Sequence, residues 1–227
     1  MITAVVLDLD DTLYDETDYC RSGFQAVARF LVRFSTNACA DDVFACLWGH
    51  FTAGNRTRTF NAALEQLAIA PDENLIRQLI ELYRTHRPTL TLPPDSRDVL
   101  ETLKQRYTLA LLTDGFLPAQ RLKVEALGIA PYFETIVYTE DLGRACWKPS
   151  PVGFERLIET LDVPPEHVAY VGDNETKDFI APNRLGMLTI QVRRPASLHT
   201  ESSDHPDAPP RLRTDRIGAL PALLARY

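Results

Sequence analysis

Apolar positions along the chain follow two periods. Short, nearly continuous runs of valine, isoleucine and leucine occur at 2–9 (ITAVVLDL), 107–114 (YTLALLTD), 134–139 (ETIVYT), 166–173 (EHVAYVGD) and 187–192 (MLTIQV). Strands buried on both faces need such runs, because neither face can carry polar residues; a parallel sheet covered by helices is the predicted arrangement. The segments between the later runs carry helix boundaries. Asp95 precedes SRDVLETLKQ, Pro118 opens PAQRLKVEAL with Gly128 behind it, and Pro151 opens PVGFERLIET. These residues start or stop helices because proline lacks an N–H that the first turn does not use and glycine tolerates the left-handed turn that ends one. One crossover helix per connection makes a doubly wound α/β core.

The stretch 16–90 breaks that rhythm. SGFQAVARFLVRF, DDVFACLWGHF, FNAALEQLAI and ENLIRQLIELYRTH all repeat apolar residues at helical spacing, with no strand pattern between them. An all-helical domain of residues 16–90 is therefore expected as an insertion in a core made of 1–15 and 91–227, with RPTLTLPPD (Pro88, Pro93, Pro94) as the return linker. Two further expectations concern the C-terminal part. Pro182, inside DFIAPNRLGM, should kink or stop a helix there. The tail 193–216, rich in proline, serine and charge, should be an irregular surface loop, and IGALPALLAR a short closing helix.

Composition narrows the function classes. The 227 residues can bury a sizeable core, and the formal net charge of −7 argues against a general nucleic-acid binder, which holds phosphates with clustered lysine and arginine. Any anion site must then concentrate positive charge locally, through a metal ion or a few placed basic side chains. With no apolar run of membrane-span length and no basic segment before an apolar one at the N-terminus, a cytoplasmic protein without a membrane partner is expected. Cys20, Cys39, Cys46 and Cys146 form no C-x-x-C pair and have no histidine at metal-ligand spacing. They are read as reduced small hydrophobes.

The strand ends carry the chemistry. Asp8 and Asp10 follow the first run, Thr113 and Asp114 the second, and Gly172-Asp173 ends HVAYV; Lys148 lies in the loop GRACWKPSP. In an open parallel sheet, ligands bind beyond the carboxyl ends of the strands where strand order reverses. Residues two apart project to the same side, so Asp8 and Asp10 can share a pocket while Asp11 turns away. Two carboxylates so close repel one another, and a hard divalent cation with oxygen ligands is the simplest remedy. Taken singly, each residue has a plainer role. Asp often caps a turn, Lys148 could be a solvated surface charge, Thr113 could end a strand, and Asp178 could be an exposed helix residue.

Taken together, the four positions resemble the motifs of the haloacid dehalogenase superfamily. Its phosphatases carry D-x-D-x-T after an apolar strand, here Asp8, Asp10 and Thr12. A strand ending in Ser or Thr follows, here at Thr113. Next comes Lys followed by Pro, here Lys148-Pro149, and last G-D-x-x-x-x-D, here GDNETKD with Asp173 and Asp178. The helical insertion resembles that family's C1-type cap, and the resemblance implies a Rossmannoid catalytic core. It further implies that Asp8 is the nucleophile and Asp10 the acid and base, with Mg²⁺ held by Asp8, Asp173 and the main-chain carbonyl of Asp10. Thr113, the N–H of Asp114, and Lys148 would bind phosphoryl oxygens; Thr12 would support the loop, and Asp178 would support Lys148 or a metal-bound water. Family members often have Asn where this chain has Asp114, which leaves the direction of that side chain open.

The function so implied is a Mg²⁺-dependent phosphomonoesterase acting on a small phosphorylated metabolite, a sugar phosphate or nucleotide, through an aspartyl-phosphate. A phosphoglucomutase-like phosphotransferase and a non-catalytic binding or scaffold domain are the alternatives. A dehalogenase would need neither Asp10 nor the metal, and no G-x-G-x-x-G follows the first strand to suggest a dinucleotide site. Substrate selection is expected from the insertion. Arg56 and Arg58 in TAGNRTRTF are candidates there, with solvated turn arginines as the alternative; Glu16, Tyr19 and Arg21 near its start are weighed the same way. Its aromatic residues are read as mainly core.

Overall fold

Five of the strands are β1 (Ala4–Leu7), β2 (Thr108–Thr113), β3 (Thr135–Tyr138), β4 (Val168–Gly172) and β5 (Leu188–Val192), one within each apolar run. In β1, β4 and β5 every residue is buried, as unbroken apolar runs demand of strands covered on both faces. The computed structural model describes residues 1–34 and 38–227. The helices are α1 (Glu16–Leu31), α2 (Ala40–Thr52), α3 (Thr59–Gln66), α4 (Glu73–Thr85), α5 (Pro94–Lys104), α6 (Ala119–Leu127), α7 (Val152–Leu161), α8 (Ile180–Arg184) and α9 (Leu220–Leu224).

A sixth strand, β6 (Leu212–Thr214), lies in the tail expected to be irregular throughout. It pairs in parallel with β5, matching Ile190 to Leu212 and Val192 to Thr214. The sheet runs β3-β2-β1-β4-β5-β6, and every pair is parallel. Order reverses beside β1: β2 and β3 lie on one side, and β4 to β6 on the other. The crevice between the ends of β1 and β4 is thus where such a sheet opens to a ligand.

Two helix boundaries differ from the reading of the sequence. α5 begins at Pro94, in the first helical position, rather than after Asp95, whose carboxylate instead accepts the Ser96 N–H at 2.8 Å. Pro182 neither kinks nor ends a helix. α8 starts at Ile180, so the proline sits in its first turn, where the missing N–H leaves no ladder bond unmade.

The chain divides into two units, Met1–Thr17 with Thr91–Tyr227, and Asp18–Leu90. In the first, Val6, Ala110, Leu112, Phe154, Leu157, Tyr170 and Phe179 belong to one buried cluster on a face of the sheet. Phe154 meets Tyr170 edge-on at 4.9 Å between ring centroids. In the second, Phe24 on α1 is in ring contact with Trp48, Phe51, Phe60 and Tyr83, so one side chain joins all four helices. Ser22 ties the end of this unit to its start: its hydroxyl accepts the Thr89 N–H at 2.9 Å and lies 3.2 Å from His86 Nε2. Cys20 and Cys46 are buried and Cys39 exposed, and no disulfide joins any of the four cysteines.

Candidate active site

Asp8 follows β1 directly, and its N–H donates to the Val171 carbonyl at 2.8 Å, extending the β1–β4 ladder by one residue. That bond brings Asp8 beside the end of β4, where Asp173 begins the next loop. From the far side comes Lys148. Its ammonium donates to Asp8 Oδ1 at 2.7 Å and to the Tyr170 hydroxyl at 3.0 Å, and lies 2.7 Å from Asp178 Oδ1. Ligand oxygens of Asp8, Asp173 and Asp178 all lie within 4.8 Å of one another, and all three residues are buried. Side chains from three segments of the first unit thus meet at one edge of the sheet.

Asp178 is the fastener of this arrangement. Besides Lys148, it accepts the N–H of Asp173 at 3.2 Å and of Asn174 at 2.8 Å through Oδ2, and the Tyr170 hydroxyl at 3.3 Å through Oδ1. Gly172 makes room for it. A Cβ at 172 would stand 2.7 Å from Asp178 Oδ2, closer than packed atoms tolerate. Gly172→Ala should therefore cost about 1–3 kcal/mol of stability through overpacking, read as a lower denaturation midpoint; an unchanged midpoint would mean that the loop yields freely.

Electrostatics of the trio follow from its charge balance. Burial pushes Asp8 up to about 7, Lys148 pulls it down, and Asp178 raises it again. Asp173 is pushed up to about 10 by burial and by the charges of Asp178 and Asp8. Lys148 resists the effect of burial and is held well above its ordinary value by Asp178 and Asp8, while Asp178 is lowered in spite of burial by Lys148 and Lys177. With all three carboxylates ionised, the one ammonium in contact with them would leave two negative charges on oxygen donors, which is why Asp8 and Asp173 hold protons so tightly without a cation. A hard divalent cation fits that donor set.

Asp8 and Asp173 bind protons more tightly folded than unfolded, so the cation-free protein should lose stability as pH rises from the unfolded carboxylate range through about 7 and on toward 10. Asp178, shifted the other way, loses its contribution only on acidification below its ordinary value. Melting temperatures measured in chelator across that range should fall, and added Mg²⁺ should remove the slope. A flat profile in chelator would contradict the crowding.

Asp10 lies outside this trio. Its Oδ1 accepts the Tyr14 hydroxyl at 2.5 Å and the Lys123 ammonium at 2.8 Å, and its Oδ2 accepts Gln120 Nε2, also at 2.8 Å. Burial would raise Asp10, but Lys123 and these donors hold it below the usual carboxylate range. As a side chain it is therefore not grouped with the acidic cluster, in contrast to the simple expectation that both carboxylates share one cation. Asp10 is joined instead to the end of β2 through Gln120, whose Nε2 also lies 2.6 Å from Thr113 Oγ1.

Thr113 ends β2 and is buried. Asp114 turns its carboxylate toward the lysine loop, where it accepts the Thr139 hydroxyl at 2.8 Å and the Lys148 N–H at 3.1 Å, with Lys177 at 3.7 Å. The acidic side chain that departs from the family pattern thus anchors the backbone of Lys148. Asp11, at φ 54°, accepts the N–H of Glu16 at 2.8 Å and of Leu198 at 2.6 Å, yet it stays beside the cluster, since the Ser197 hydroxyl lies 3.4 Å from its Oδ2 and 3.4 Å from Asp173 Oδ2. Thr12 is buried, its carbonyl accepting from Arg194 at 3.4 Å, and its hydroxyl has no partner among the described residues.

The substrate-selection candidates of the second unit are placed as follows. Arg56 and Arg58 are exposed, and the Arg56 guanidinium lies 5.7 Å from the centre of the Phe51 ring. Tyr19 donates to the Tyr83 carbonyl at 3.0 Å, and Arg21 lies over Trp48 at 4.3 Å. Glu16 belongs to the first unit, 3.9 Å from Lys123 and 3.9 Å from His199.

Reading the sequence missed Tyr14, Gln120, Lys123, Tyr170 and Ser197. Gln120 and Lys123 fall on the same buried face of α6 as Val124 and Leu127, and two polar residues in an apolar stripe were the available sign. Ser197, from the tail, reaches to 3.4 Å from Asp173 Oδ2.

This fold and its strand-end residues define a hydrolase core of one known kind. The haloacid dehalogenase-like hydrolase family model matches residues 2–186, and the chain belongs to that family. The chain is 28% identical over 215 residues to the glyceraldehyde 3-phosphate phosphatase of Methanopyrus kandleri, covering 92% of this chain and 91% of that one. It is 28% identical over 242 residues to the phosphoserine phosphatase of Thermus thermophilus, covering 92% and 94%. Among solved structures, the 2-haloacid dehalogenase of Pseudomonas syringae pv. Tomato DC3000 superposes with a TM-score of 0.67 at 25% identity, covering 100% of this chain and 99% of that one.

Proposed function

We propose that this hydrolase is a Mg²⁺-dependent phosphomonoesterase acting on a small phosphorylated metabolite through an aspartyl-phosphate on Asp8. The observation that carries the reading is the Lys148 ammonium, shared at 2.7 Å between Asp8 and Asp178. It gives the carboxylate of Asp8 a cationic neighbour at the point where a phosphate dianion would have to approach it. The names of the phosphatase relatives support the same class.

Asp8 attacks phosphorus through one carboxylate oxygen as the bond from phosphorus to the ester oxygen breaks. The electron pair leaves with that oxygen, which takes the proton that Asp10, ionised in the free protein, acquires as the negatively charged phosphate binds beside it. Water then attacks the aspartyl-phosphate while Asp10 removes its proton, and Asp8 returns as a carboxylate with inorganic phosphate released. Lys148 and the Thr113 hydroxyl hold phosphoryl oxygens, with the positive charge placed before the reaction begins. Asp178 keeps Lys148 and the 173–174 backbone in place. Asp8 and Asp173, with the main-chain carbonyl of Asp10, would hold the Mg²⁺ that the resemblance implies. When bound, it supplies charge neutralisation between nucleophile and dianion. Selection among substrates is assigned to the helical unit, with its exposed Arg56 and Arg58 as candidates.

Purified protein should hydrolyse an aryl phosphate with added Mg²⁺, lose at least about a hundredfold in rate with excess chelator, and recover on readdition. Full activity in chelator would overturn the metal-dependent form. A screen of sugar phosphates, nucleoside monophosphates and sugar-acid phosphates would identify the leaving group.

A further inference from the structure

Lys123 is 3% exposed, and a lysine is almost never so buried unless it is paired. Its position on α6 is far along the chain from Asp10, yet its ammonium lies 2.8 Å from Asp10 Oδ1, with Glu16 Oε1 at 3.9 Å on its other side. Gln120, one turn earlier, places one Nε2 group 2.8 Å from Asp10 Oδ2 and 2.6 Å from Thr113 Oγ1. The turn before α6 is shaped around that carboxamide. Gly115 has φ +141°, and a Cβ there would stand 2.7 Å from Gln120 Cδ. Tyr14 completes the set with its hydroxyl on Oδ1.

We infer that Lys123, with Gln120 and Tyr14, is the positioning set of Asp10, fixing which of its oxygens faces the leaving group and keeping it in register with Thr113. The inference rests on the phosphatase reading above and adds to it three residues to which that reading gives no part. A buried ion pair alone is weak evidence of a stabilising role, since an apolar pair of the same volume often serves as well. The geometry does something an apolar pair could not. Two donors fill Oδ1, whereas Oδ2 receives one, so Oδ2 retains a lone pair for the proton that passes to the ester oxygen as the phosphorus–oxygen bond breaks. The negative charge left on Asp10 after that transfer then forms beside the Lys123 ammonium.

Lys123 acts through Asp10, so its loss should matter in proportion to how much the leaving oxygen needs a proton. The experiment compares kcat/KM for dinitrophenyl phosphate, whose leaving group needs little help, with that for phenyl phosphate, whose leaving group needs much. In Lys123→Met, phenyl phosphate should lose about 30-fold or more while dinitrophenyl phosphate stays within about threefold, a selective part of the roughly 10²–10⁴-fold that a general acid contributes. The loss should lie in kcat rather than KM, and Lys123→Arg should restore most of it. In an Asp10→Asn background, adding Lys123→Met should change phenyl phosphate turnover by less than about twofold, because coupled residues fail to add.

Tyr14→Phe removes one hydroxyl and preserves the ring, so it tests the same claim if Lys123→Met does not fold; it should steepen the leaving-group dependence in the same direction. Equal losses on both esters, or full additivity with Asp10→Asn, would overturn the inference and leave the phosphatase reading standing. No turnover of either ester by the wild-type protein with Mg²⁺ would overturn both.

Discussion

Asp8→Asn is expected to reduce phosphomonoester turnover by about 10⁴-fold or more, because a neutral amide cannot form the covalent intermediate and what remains is binding and electrostatic help alone. The loss should come without loss of fold. Asp8 is held up to about 7 by burial and by the charge of Asp178, so removing its charge relieves repulsion in the cation-free protein. Lys148 retains Asp178 at 2.7 Å and the Tyr170 hydroxyl at 3.0 Å as partners. Thermal melting in chelator above neutral pH should show the variant no less stable than the wild type. Turnover close to wild type would remove Asp8 as nucleophile; a collapsed melting curve would show that the charge balance has been misjudged.

Lys148→Met is expected to damage both stability and rate. The ammonium is the contact cation of Asp8 and Asp178, whose side chains are 4% and 0% exposed. Breaking a buried pair by removing one partner costs about 3–5 kcal/mol, since the stranded charge must be protonated or rehydrated. Protonation of Asp8 would disarm it as a nucleophile. Loss of the phosphoryl contact proposed for it would add about 10²–10³-fold in kcat on its own. The melting midpoint should fall most at neutral pH and recover on acidification, as Asp8 takes up its proton. A Lys148→Met protein that melts and turns over like the wild type would contradict the shared-ammonium geometry.

The edge at which the candidate residues gather was legible in the sequence for a physical reason. Unbroken apolar runs force strands into the middle of a parallel sheet, and parallel strands bring their carboxyl ends to one edge. Residues at or just after the ends of β1, β2 and β4 had to lie together whatever the intervening helices did. Asp8, Thr113 and Asp173 followed from that alone, and Lys148 from the motif it completes.

What was not legible depended on the rotational phase of single elements. Nothing in PAQRLKVEAL says that its polar Gln120 and Lys123 face inward with Val124 and Leu127 rather than outward, and only that phase brings them to Asp10. Tyr170 looked like one more apolar residue of a core strand, while its hydroxyl carries a bond from Lys148 to Asp178. β6 escaped notice because Leu212–Thr214 is three residues long and only partly buried, with no run for periodicity to register. Pro182 misled because the rule that proline stops helices holds for helix interiors, and α8 begins only two residues before it.

The covalent role of Asp8 is the claim on which the rest stands. Dinitrophenyl phosphate makes it directly measurable, because its good leaving group speeds the first step and lets the phosphoenzyme accumulate. A rapid acid quench during turnover, hydride reduction of the acyl phosphate and peptide mass spectrometry should find homoserine at position 8, together with a burst of dinitrophenolate stoichiometric with enzyme. Steady phosphate release with a full burst and an unmodified Asp8 peptide, or with the label on another residue, would contradict the account.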